Sequence, residues 1–155
     1  MKKVLTALLL VMSLLTAGCG VKAEETSAAE LAMKDFADAA EYIAAVSEAS
    51  DLIKKSLEED VLTQGEMNEK AEALHKLWDD AMNSLWPELE SVLSEEDFAK
   101  LQEEQAVWIA EKETSMEEAG KEFEGGSMYP LIVNSEAAAL TEARVYQLCD
   151  ILEVE

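Results

Sequence analysis

Cysteine, proline, glycine and histidine are all scarce in this chain: two, two, six and one among 155 residues. Two cysteines allow at most one disulfide, so no disulfide framework holds the fold. Few prolines and glycines exclude a turn-rich β architecture, and the dominance of Ala, Glu, Leu and Lys points to helices. The single histidine, His75, has no second histidine and no cysteine to complete a metal or nucleophile set. There is no glycine-framed nucleophile elbow, no phosphate-cradling loop and no calcium loop of alternating oxygen ligands. Neighbouring acids such as Glu95/Glu96 and Asp79/Asp80 point different ways on a helix and make no acid–base pair. The expectation is a non-enzyme with no catalytic residue, no metal and no cofactor.

Positive charge is the other shortage. Twelve Lys and Arg stand against 34 Asp and Glu, a net charge of −22. Nucleic acid is excluded as a partner, because phosphate binding needs a basic stripe. A polybasic grip on anionic lipid is excluded for the same reason. The field of such a polyanion favours basic protein partners. An apolar fraction of 49% argues against full disorder despite the charge. The length suits one domain with one core.

The only long apolar run comes first. Lys2 and Lys3 precede an apolar stretch over residues 4–15, too short for a permanent membrane span and suited to a secretory leader. Leu15-Thr16-Ala17-Gly18-Cys19 resembles a bacterial lipobox, with Thr16 where leucine is preferred. Residues 1–18 are expected to be a lipoprotein signal peptide, with Cys19 the lipidated N-terminus and residues 19–27 a tether. Two or more acyl groups give stable anchoring. The protein is therefore expected outside the cytoplasm, tethered to a bacterial membrane in the cell envelope. Losing Lys2 and Lys3 takes the charge to −24, ten basic residues against 34 acidic. Cys149 is then the remaining thiol, and its apolar neighbours Leu148, Ile151 and Leu152 mark it as a buried small residue rather than a reactive one.

The mature chain reads as all-α, a small bundle of three core helices at about 64–93, 94–123 and 128–152, preceded by an N-terminal helix at about 28–58. In the first, Ala32, Phe36, Ala39, Ile43, Val46, Ser50, Ile53 and Leu57 form a heptad stripe, on a helix that either packs on the domain or stands as a stalk. Thr63 and Glu66 make a capping box for the second helix. Its inner face runs from Met67 through Trp78 and Leu85 to Val92, with a kink expected before Pro87. Ser94 followed by Glu95, Glu96 and Asp97 starts the third, whose stripe includes Phe98, Leu101, Gln105, Trp108, Lys112 and Met116. Gly125 and Gly126 close it. Ser127 is the expected cap of the fourth, whose stripe runs Leu131, Val133 or Asn134, Ala137, Leu140, Arg144, Leu148, Ile151.

Several of these elements recur together. Thr63-Gln64-Gly65-Glu66-Met67-Asn68, Trp78-Asp79-Asp80-Ala81-Met82-Asn83 with Trp86, Gln105 with Trp108-Ile109-Ala110, Gly125-Gly126-Ser127, and Leu140-Thr141 with Arg144 resemble the LprI-like lysozyme inhibitor family. The resemblance spans residues 63–152 and implies a helical exported domain, commonly a lipoprotein, with lysozyme inhibition assigned within the family. The family's usual cysteines are replaced by Lys70, Met116 and, near the last motif, Ala137, so the helix core must supply the stability. Glu111-Lys112-Glu113 stands where many members carry Tyr-Arg-Asp, and lysine keeps the charge without arginine's planar fork.

Two groups of candidate site residues follow. Gln105, Lys112 and Arg144 lie on apolar stripes and Asp79 and Asn83 beside one. Buried charge needs partners, so Asp79 or Glu113 is expected to pair with Arg144 or Lys112. Such a cluster either fixes helix register or receives a partner. The second group is Trp86, Ser127, Met128 and Tyr129, a partner-binding surface in which Trp86 is the tryptophan expected to be partly exposed, while Trp78 and Trp108 pack in the core. The alternative for the loop at 124–131 is a connector whose Tyr129 and Leu131 close the core. Two functions remain: a membrane-anchored acidic module that binds and inhibits cationic lysozymes, or a structural or protein-interaction lipoprotein of the envelope without that activity.

Overall fold

A computed structural model describes residues 31–153. The leader, Cys19, the tether and the first residues of the expected N-terminal helix lie outside the described residues. Four α-helices follow one another: α1, Ala39–Glu59; α2, Gln64–Val92; α3, Glu95–Gly120; and α4, Tyr129–Leu152. Among the described residues there is no strand, and no helix is long and apolar enough to cross a membrane.

Local sequence explains the helix starts. Thr63 Oγ1 accepts from the Glu66 N–H at 3.3 Å, and the Thr63 N–H donates to Glu66 Oε2 at 2.7 Å, so the capping box forms. Ser94 Oγ accepts from the Asp97 N–H at 3.1 Å, ahead of three first-turn acids. The first helix differs from expectation. It begins at Ala39, not near 28, because Asp38 is extended and accepts from the Glu41 N–H. Before that cap, among the described residues, the chain makes a 3-10 turn, Met33–Asp35. Phe36 then packs tilted against Tyr42, 5.4 Å between ring centroids, instead of continuing a heptad.

Packing is organised around α2 and α4. Asn68 Nδ2 donates to the Ser127 carbonyl at 3.0 Å, and His75 Nδ1 lies 3.3 Å from Asn134 Oδ1. Both pairs are separated by 59 residues, so the two helices run parallel in one register. The α1 helix covers this pair, so the packing alternative holds and not the stalk. Trp78, fully buried on α2, donates its indole N–H to Ser50 Oγ at 3.1 Å. Lys54 of α1 pairs with Glu142 of α4 at 2.7 Å. The Tyr42 hydroxyl is held above its ordinary pKa by burial, with Ser84 hydrogen-bonding against that shift. α2 stays helical through Pro87.

Because α4 faces α2 and α3 together, its buried arc is wider than the single stripe and displaced from it. Ala138, Thr141, Val145 and Cys149 join Ala137, Arg144 and Leu148 inside, while Ile151 is 39% exposed. Thr141 resolves its buried hydroxyl by donating to the Ala137 carbonyl at 2.7 Å. The α2 helix likewise buries Leu77 and Met82 beside its expected face, and Val92 is exposed.

The third helix stops at Gly120, not at 123, and a 3-10 turn, Lys121–Phe123, follows. Gly120 is buried, and a Cβ there would lie 2.7 Å from Tyr129 Cε2 and 2.7 Å from Val133 Cγ1. Overpacking costs about 1–3 kcal/mol, while alanine's helix propensity returns about 1 kcal/mol. Gly120→Ala is expected to lower the urea midpoint and Gly120→Val to lower it further. A midpoint equal to wild type in Gly120→Val would show that α3 and α4 are not in close approach. Gly125 has φ +73° and turns the chain back. Ser127 does not cap α4. Met128 holds the N-cap position without a side-chain cap, and a proline lies in the first turn.

Candidate functional site

The polar residues expected to cluster meet where α2, α3 and α4 converge. Gln105 of α3 is buried. Its Nε2 donates to Met82 Sδ of α2 at 3.3 Å, and its Oε1 accepts from Arg144 Nε of α4 at 2.8 Å. One glutamine thereby ties three helices. Arg144, 9% exposed, also donates through Nη1 to Gln147 Oε1 at 3.1 Å. Its Nη2 is buried with no hydrogen-bond partner. Burial pulls the Arg144 pKa down, with Glu104 acting against the shift, but a guanidinium stays charged at any ordinary pH.

Trp108 stands beside this group as a half-buried platform. The Lys112 ammonium sits 5.1 Å from a ring centroid and the Arg144 guanidinium carbon 5.9 Å, distances at which the ring's negative face attracts a cation. Lys112 then reaches Asp79 Oδ1 of α2 at 3.9 Å, and Asn83 Nδ2 donates to Asp79 Oδ2 at 3.2 Å. Of the expected ion pairs, Asp79 with Lys112 forms. Arg144 is partnered by glutamines and an aromatic ring instead of a carboxylate, and Glu113 stays exposed outside the cluster. Gln105 with Met82, Gln105 with Arg144 and Lys112 with Asp79 bond across helix interfaces, whereas Asn83 and Gln147 bond within their own helices, so the cluster ties α2, α3 and α4 together.

The second group is not brought together. Trp86 lies near the C-terminus of α2, half-buried edge-on against Phe98 at 5.9 Å. Ser127 is held by Asn68 near the N-terminus of α2, about 27 Å away along the helix axis at 1.5 Å per residue. Ser127 and Met128 are exposed, whereas Tyr129 is half-buried over Gly120. The loop is thus a connector through Tyr129, and Trp86 belongs to the other end of the bundle. Sequence reasoning missed Gln147, Met82 and the His75–Asn134 pair. The signal for the last was the spacing of two polar residues on inward faces.

Carboxylates cover much of the remaining surface. Lysines of α1, α2 and the start of α3 engage nearby acids: Lys55 with Glu59, Lys76 with Asp80, and Lys100 with Glu96 and Asp97. Among the described residues Glu103, Glu111, Glu113, Glu117 and Glu118 of α3 form no ion pair. No group of three or more His, Cys, Asp or Glu side chains converges to hold a metal ion among the described residues. Residues 55–148 match a family model described as Lysozyme inhibitor LprI. Neither a curated protein nor a solved structure matches the chain.

Proposed function

The chain belongs to the LprI lysozyme inhibitor family, and from that premise we propose that it is a lipid-anchored envelope protein that binds and inhibits basic lysozyme-type muramidases. The family match over 55–148 carries the reading. The unpaired carboxylates support it, because complementary charge raises the rate of encounter with a basic enzyme. Charge by itself gives only salt-sensitive sequestration of any cationic protein. Inhibition requires in addition a surface that covers or occupies the sugar-binding cleft. Anchoring through Cys19, proposed from the lipobox-like end of the leader, would place that surface where a lytic enzyme approaches the cell wall.

The protein, purified in mild detergent from the envelope of an expressing bacterium, is expected to inhibit a basic lysozyme stoichiometrically at about 150 mM salt, where exposed charges are screened over about 8 Å. Its N-terminal peptide is expected to carry acyl mass on Cys19. Inhibition only at about 20 mM salt reduces the activity to polyanion behaviour. No inhibition at either salt leaves the structural reading.

A further inference from the structure

An open cavity lies at the end of the bundle where α2 turns into α3 and α4 finishes. Leu93, Asp97, Lys100, Leu101, Glu104 and Ile151 line it, and its volume is about 240 Å³. Asp97, Lys100, Leu101 and Glu104 recur at i, i+3, i+4 and i+7, so they share one side of α3. Ile151 of α4 and Leu93 of the α2–α3 turn complete the lining. Leu101 is buried, Leu93 is half-buried against the core, and Ile151 is 39% exposed. The apolar part of the lining is thus continuous with the core, while the rest of it is charged. The volume falls below the about 300–1,000 Å³ of a small-molecule site. It suits one apolar side chain delivered by a larger partner, the way a binding surface takes an anchor residue.

The charge around the cavity selects the occupant. Lys100 is engaged on its own helix by Glu96 at 2.8 Å and Asp97 at 3.6 Å. The charge of Glu104 is felt by Arg144, yet Glu104 forms no ion pair among the described residues. Neither do Asp150 and Glu153, the exposed acids on either side of Ile151. A second copy of this end would bring like charges together, which opposes pairing. A cationic partner would place Lys or Arg against these carboxylates while its apolar side chain enters the cavity. We propose that the cavity between Leu93, Leu101 and Ile151 is the docking site for one apolar side chain of a basic protein, whose neighbouring cationic groups meet Glu104 and Asp150. The identification of that protein as a lysozyme rests on the reading above, whereas the cavity and its chemistry do not.

Two probes separate these claims: a basic lysozyme, and a synthetic amphipathic helix of lysine and leucine. Binding of each to the detergent-purified protein is measured by calorimetry at about 150 mM salt. Ile151→Ser is expected to weaken binding by roughly tenfold or more, as loss of an apolar anchor contact does. Leu52→Ser, which removes a 65% exposed leucine on α1, is expected to leave affinity unchanged. Helices with serine for leucine, or glutamate for lysine, are expected not to bind. Where Ile151→Ser lowers the melting point, the wild-type methyl signals of Leu93 and Ile151 decide instead: they are expected to shift as the lysine–leucine helix is added, and unmoved signals overturn the inference. If the peptide binds at the cavity and lysozyme does not, the docking site stands and the lysozyme identification falls. The inference is overturned if a stable Ile151→Ser binds every bound probe as wild type does, if Leu52→Ser loses as much, if either control helix binds as tightly, or if neither probe binds wild type. It is overturned equally if sedimentation shows a dimer that Ile151→Ser dissolves, because the occupant is then a second copy.

Discussion

Trp78→Ala is expected to remove about 3–5 kcal/mol of stability, a large share of the about 5–15 kcal/mol typical of a folded domain. Trp78 has no solvent exposure and belongs to the continuous core that includes Tyr42, Val46, Leu85, Val145 and Leu148. Its ring lies 5.7 Å from that of Tyr146 on α4, and its indole N–H donates to Ser50 on α1. One side chain thus joins α2 to α1 and α4. Truncation loses the transfer energy of the ring and leaves a cavity that three helices cannot close together. It also strands the Ser50 hydroxyl. Ser50→Ala separates the contributions, since it keeps the ring and orphans only the indole N–H, at about 1–3 kcal/mol. Urea unfolding followed by far-UV circular dichroism is the measurement. A loss below about 1 kcal/mol in Trp78→Ala would mean that α1 is not packed on α2 as described.

Gln105→Leu is expected to destabilise by about 1.5–3 kcal/mol, the range for a hydrogen bond to a charged group, whereas Arg144→Met is expected to be close to neutral. The asymmetry follows from what each change leaves behind. Without Gln105 the buried guanidinium keeps Gln147 and the Trp108 ring but has two nitrogens, Nε and Nη2, without acceptors. Without Arg144 the Gln105 and Gln147 side-chain oxygens each lose a donor, Gln147 being open to water, and the loss is offset by removing a desolvated charge and the unpartnered Nη2. Replacing buried charge by well-packed apolar groups is often neutral or stabilising. The double variant is therefore expected to recover most of the Gln105→Leu loss, giving a coupling energy that a double-mutant cycle reads directly. Equal losses from both single variants with no recovery in the double would show that Arg144 is held by something other than Gln105.

The sequence was most legible where structure is decided within one turn of helix. The starts of α2 and α3 were readable because Thr63 and Ser94 bond N–H groups three residues on. The start of α1 was not, because Phe36 and Ala32 continue a heptad in the sequence while Asp38 ends it in space. Choosing between those signals depends on where Phe36 packs, which is a tertiary fact. The buried arc of α4 was misplaced for a related reason: a helix held between two neighbours has no single stripe to read, and only the contacts say that Val145 is inside and Ile151 out. The polar junction was legible as a cluster, since a charge on an apolar stripe demands partners. The actual partners depended on how α2, α3 and α4 approach, which put glutamines at Arg144 and left Glu113 in solvent. Trp86 and Tyr129 looked like one surface because their chemistry matched, and the length of α2 keeps them apart.

Cys149 lies 3% exposed on α4, with its thiol pKa raised by burial. A thiolate is the species that attacks a disulfide, so the native bundle keeps this sulfur out of exchange chemistry. In an oxidising compartment, covalent cross-linking through Cys149 is then confined to chains that have lost the packing of α4. The bundle that shields it thereby makes a single sulfur atom a marker that separates folded molecules from failed ones.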